Sequence, residues 1–148
     1  MRNFLLLTLL TAALLLPACA TTPPGERTYE PKLFQHFEGS LFGPCIRGCF
    51  TVEVILKPNP PIVGRNAADV IIHDYRAMDI GGADVEFVPW MAEEGRPSPE
   101  TPTIKDTKIG LYVIENIVLD RPGKWTYRIR ISHGGLADSI ELALPEVR

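Results

Sequence analysis

The segment from Trp125 to Ser132 constrains the fold more than any other. Trp125, Tyr127, Ile129 and Ile131 alternate strictly with Thr126, Arg128, Arg130 and Ser132. A period of two sends the apolar four to one face of an extended chain and the polar four to the other, so this is a half-buried β-strand. Trp125 is read as core, with Tyr127, Ile129 and Ile131 beside it.

The same period recurs along the chain. Phe50, Val52, Val54 and Leu56 alternate with Thr51, Glu53 and Ile55. That run stops at Lys57-Pro58-Asn59-Pro60-Pro61, because proline has no N–H to give to a ladder. Further strands are predicted over residues 67–75, 83–88, 103–105, 111–119 and 136–144. Fourteen prolines and twelve glycines fall mostly between the apolar runs, where an all-β domain places its turns. Residues 90–102 read as one long loop rich in Pro and Glu. The pattern predicts an all-β, immunoglobulin-like antiparallel β-sandwich of about seven strands. A small up-and-down barrel is the alternative, because periodicity does not report closure.

The amino-terminal stretch follows a different logic. Arg2 precedes an apolar run from residue 4 to residue 16, interrupted by Thr8 and Thr11. As a helix that run would be roughly 20 Å long, short of the about 30 Å of a bilayer core. It reads as a signal peptide. It ends Leu16-Pro17-Ala18-Cys19, which resembles the lipobox of bacterial lipoproteins, with Pro17 a departure from the usual small or branched residue. The resemblance implies that Cys19 carries a diacylglycerol and becomes the first residue of the mature chain. Three parts follow: a signal peptide at 1–18, a polar lipid-anchored tether at 19–35, and a β-sandwich domain at 36–148. The resemblance to lipoproteins also implies the location: the cell envelope, on the periplasmic side of the outer membrane in a Gram-negative cell, since Ala20 and not Asp follows the cysteine.

Removing 18 residues from 148 leaves 130, enough for one domain with a real core. The formal charge of −3 becomes −4 on loss of Arg2. No basic block is present, so nucleic acid and anionic lipid surfaces are poor partners. The expected membrane contact is the lipid alone, and the expected partner an envelope protein.

Cys45-Ile46-Arg47-Gly48-Cys49 is the sharpest motif in the domain. In an oxidising compartment the pair predicts a disulfide, worth about 2 kcal/mol for so short a loop. The competing reading is a thiolate site for copper or redox chemistry. His36, His73 and His133 share no metal-ligand spacing and read as structural or surface residues, so no metal site is assigned. Met78 and Met91 are too few for a methionine-rich copper array. A site combining Met91 with His133 would need loop convergence at one end of the sandwich. Ligand-binding candidates are Trp90 and Met91, at the mouth of the long loop, because rigid scaffolds concentrate function on their loops. No nucleophile elbow, phosphate loop or dinucleotide fingerprint appears, and Ser132-His133 has no acid placed to orient the ring. A non-enzyme is expected.

Residues 50–144 resemble the YtkA-like domain, related to the FixH-like group of exported or membrane-anchored β-sandwiches. Four stretches carry the resemblance in order: Pro60-Pro61-Ile62-Val63-Gly64-Arg65-Asn66, Pro89-Trp90-Met91, Gly110-Leu111-Tyr112 and Pro122-Gly123-Lys124-Trp125. Many family members have Met-Gly-His after the Pro-Trp-Met stretch; this chain has Glu94-Gly95-Arg96. Three functions result: a tethered interaction module without catalysis, a copper- or metal-handling protein, or, by analogy with FixH-like proteins, an accessory factor in assembly of a membrane respiratory complex.

Overall fold

The computed structural model describes residues 28–148. The signal segment and Cys19 lie outside the described residues. Among the described residues nine strands form: β1 (Leu41–Pro44), β2 (Phe50–Lys57), β3 (Gly64–Asp74), β4 (Asp84–Met91), β5 (Arg96–Pro97), β6 (Thr103–Asp106), β7 (Leu111–Leu119), β8 (Trp125–His133) and β9 (Leu136–Ala143). They make two antiparallel sheets, ordered β1-β2-β3-β7-β6 and β5-β4-β8-β9. With β1 and β5 set aside, the two orders are those of a constant-type immunoglobulin sandwich. No helix among the described residues is long and apolar enough to cross a membrane.

The expected all-β antiparallel sandwich is the observed fold, with two short strands, β1 and β5, beyond the about seven expected. β5 is two residues long, inside the stretch read as loop, and pairs Trp90 with Pro97 and Met91 with Arg96. β1 carries no alternation, since Leu41-Phe42-Gly43-Pro44 is only half covered. It is a strand because β2 offers it a ladder, with Leu41 opposite Val54 and Pro44 opposite Thr51.

Between the sheets lie Phe50, Val52, Val54 and Leu56 of β2, facing Trp125, Tyr127, Ile129 and Ile131 of β8 in one buried cluster. The four β8 residues are at most 1 % exposed. Trp125 also satisfies its indole, donating Nε1–H to the Arg121 carbonyl at 3.0 Å. β7 changes parity halfway: Tyr112 and Ile114 point inward, then Ile117 and Leu119 do. The register against β3 slips at that place, Asn66 facing Ile117 but Ala68 facing Ile114. Glu115 and Asn116 form a bulge, with Asn116 at φ 59°, a left-handed conformation that asparagine accepts more readily than most residues.

β2 is buried on both faces. Its outer face is covered by residues 28–40, which run back over the sheet as a strap. Tyr29 N–H bonds the Arg47 carbonyl at 2.7 Å and Lys32 N–H bonds the Tyr75 carbonyl at 3.0 Å. The strap passes so close to Gly48 that a Cβ there would stand 2.2 Å from the Tyr29 carbonyl oxygen. Within the stretch expected as tether, Tyr29 and Lys32 are thus bonded to the sandwich and Phe34 packs against His73.

Candidate functional site

The outer face of the β4–β8–β9 sheet presents Glu86, Val88 and Trp90 from β4, and Arg128 and Arg130 from β8. Alternation puts them there, since Phe87, Met91, Tyr127 and Ile129 take the inward positions. After Met91 the chain turns, with Gly95 N–H on the Met91 carbonyl at 2.9 Å. It returns through β5, where Ser98 N–H bonds the Pro89 carbonyl at 2.8 Å. The Ser98 hydroxyl then donates to the Val118 carbonyl at 2.7 Å and fixes the crossing to the other sheet. Residues 98–102 consequently stand beside the sheet face and wall off a groove of about 750 Å³. That is the size range of ligand-binding clefts.

The groove floor is amphipathic. The Arg128 guanidinium sits over the Trp90 ring, 3.8 Å from its centroid, a cation–π arrangement. Arg128 Nε also lies 2.9 Å from Glu141 without hydrogen-bond alignment, and Arg130 donates to Glu86 at 3.0 Å. These ion pairs are substantially exposed and exchange readily with a charged ligand. Ile46, 80 % exposed, stands at the β9 side of the groove. The lining holds no histidine or cysteine. The arrangement offers an aromatic plate, apolar side chains and two guanidiniums, which suits binding.

Of the two ligand-binding candidates, Trp90 lines the groove and Met91 does not. Met91 is 2 % exposed and packs in the core. His133 is half-buried at the end of β8. Glu94-Gly95-Arg96 takes part in an ionic latch: Arg96 bonds Glu94 at 2.6 Å and Asp120 at 2.9 Å, and Arg121 bonds Glu94. The hydrogen bond from Arg96, with the charge of Arg121, holds the Glu94 carboxyl below its ordinary range.

Cys45 and Cys49 are buried, unbonded thiols, which corrects the expected disulfide. The loop is closed by other means. Gly48 N–H bonds the Cys45 carbonyl at 2.9 Å, and the buried Asp138 carboxylate accepts N–H from Arg47 and Cys49, both at 3.0 Å. Burial, followed by the Asp138 charge, pushes both thiols above their ordinary pKa. Thiolate chemistry is therefore suppressed at this position.

One grouping has no signal in sequence spacing. The strap lays His36 on His73, with ring centroids 5.0 Å apart and planes 11° apart. The two residues approach only because the strap folds back across β2 and β3.

Fold and groove together define an immunoglobulin-like β-sandwich domain with a ligand-sized cleft on one sheet face. A family model described as YtkA-like matches residues 50–130, and the chain belongs to that family. Among solved structures, a DUF4426 family protein from Pseudomonas aeruginosa PAO1 is similar in fold, with a TM-score of 0.52. It is 13 % identical, over 75 % of this chain and 96 % of that one. None of the curated proteins matches the sequence.

Proposed function

We propose that this protein is a non-catalytic binding module of the cell envelope, held to the membrane by lipid on Cys19. In a Gram-negative cell it faces the periplasm from the outer membrane. Its partner is an envelope protein, a segment of which lies in the groove beside residues 97–102. The supporting observation is the Trp90–Arg128 plate on the groove floor, 3.8 Å from guanidinium to ring. Tryptophan and arginine are the residue types that most often dominate an interface.

In-cell photo-crosslinking from position 101 tests the reading. Wild-type protein should give one dominant adduct, and Trp90→Ala should lose it. A hot-spot loss of about 2 kcal/mol corresponds to roughly 30-fold weaker binding. An adduct pattern indifferent to Trp90→Ala, in a variant that stays folded, removes the groove from the function.

A further inference from the structure

Under the strap, Thr51, Glu53 and His73 are each 0 % exposed. Glu53 accepts N–H from Phe37 at 2.7 Å and from His36 at 2.8 Å, and the Ser40 hydroxyl at 2.7 Å. Burial pushes its pKa up, but the donors from Ser40, His36 and Phe37 outweigh that and keep it an ionised carboxylate. The same Glu53 faces Nδ1 of His36 at 3.3 Å, and the Thr51 hydroxyl faces Nδ1 of His73 at 3.3 Å. Each imidazole is thus oriented through Nδ1 by an oxygen from β2, which leaves Nε2 as its remaining ligand atom.

Nε2 of His73 is fully buried and makes no hydrogen bond. It lies 3.0 Å from an Asp79 carboxylate oxygen, close but misaligned. Asp79 is placed by the backbone, through a β-bridge to His73 itself. One ligand atom from each of His36, His73 and Asp79 lies within 4.8 Å of the other two.

We propose that His36, His73 and Asp79 bind one divalent transition-metal ion of the Zn(II) or Cu(II) type. Two imidazoles and a carboxylate suit such ions, whereas Mg(II) and Ca(II) take oxygen ligands. Glu53 and Thr51 are the outer partners that fix the rings. The surroundings are acidic: Glu53, Asp74 and Asp79 lie about the pair, and Arg76 pairs with Asp74 at 2.9 Å. Phe34 stands edge-on to both rings, 4.8 Å from His36 and 6.3 Å from His73, as an apolar shell. The His36 and Asp79 side chains are 31 % and 47 % exposed, which provides an entry path and room for a fourth ligand. This site is separate from the groove.

The test uses full-length protein in detergent, stripped with chelator and titrated separately with Zn(II), Cu(II) and Mg(II). Metal per chain is measured after gel filtration. One equivalent of Zn(II) or Cu(II) and no Mg(II) is expected. His36→Ala and Asp79→Asn should each weaken binding roughly tenfold or more, and Thr51→Val about tenfold through the outer shell. Cu(II) spectra should show imidazole nitrogen coupling that diminishes in His36→Ala. A Cys45→Ser/Cys49→Ser double variant should bind like wild type. The proposal is overturned by substoichiometric binding of both ions to wild type. It is equally overturned if folded His36→Ala and Asp79→Asn keep wild-type affinity, or if only the cysteine variant loses metal.

Discussion

Trp90 and Trp125 lie on neighbouring strands of one sheet but face opposite sides of it: Trp90 stacks under Arg128 on the outer surface, while Trp125 is 1 % exposed in the core. Their substitutions should therefore separate binding from stability.

Trp125→Ala is expected to cost about 3–5 kcal/mol, through lost transfer energy and the cavity left behind. It also removes the indole hydrogen bond to Arg121. A domain of this size has about 5–15 kcal/mol in total, so the denaturation midpoint should fall sharply. Trp90→Ala should move it by about 1 kcal/mol or less, the worth of an exposed cation–π contact. Equal midpoint losses in chemical denaturation would refute the assignment of faces.

Glu53 should make the strap acid-sensitive. Its folded pKa is below the ordinary value, so the stability it contributes is full above the unfolded pKa of about 4.3. That contribution is lost as pH falls through the lower folded pKa. Glu53→Gln should flatten this acid limb and lower stability at neutral pH. Glu53→Ala, which leaves buried donors unpaired, should cost about 3 kcal/mol or more. Melting curves between neutral and acid pH check both; an acid limb unchanged in Glu53→Gln counts against the linkage.

Cys45 and Cys49 should be reduced and unreactive. Alkylation of native protein without reductant should label neither, because both are buried and their thiolates disfavoured. Alkylation after unfolding, still without reductant, should label both. Failure to label the unfolded chain would restore the disulfide.

Lipid on Cys19 is read out by intact mass of protein extracted from membranes. The amino terminus should be residue 19 with acyl chains added, and Cys19→Ser should leave an unlipidated precursor. Soluble, unmodified wild-type chain would exclude the anchor.

Much of the sandwich is legible as alternation. The β8 pattern predicts both its strand and its buried face, and the prolines after Lys57 mark the end of β2. β7 shows why reading one period has limits: a single extra residue at Glu115-Asn116 inverts the facing, and the sequence continues to look strand-like through it. β5 is too short to show a period at all. Glu53 occupies a position that alternation assigns to the outer face, correctly; its burial comes from the strap, a contact between residues distant in sequence. The same crossing makes the histidine pair invisible to spacing rules. Trp90, in contrast, is identifiable as a loop-mouth aromatic, whereas the adjacent Met91 falls to the core by the parity of β4.

The strap also sets a mooring length. Tyr29 is fixed to the sandwich through its bond to Arg47 and its ring 4.8 Å from Tyr75. With the proposed lipid on Cys19, the ten residue steps from Cys19 to Tyr29 span at most about 36 Å. The domain is then confined to a thin layer above the bilayer, leashed at the end that carries the His36–His73 pair. Partners embedded in the same membrane meet it at a high effective concentration, and an affinity too weak to hold two dissolved proteins together suffices there.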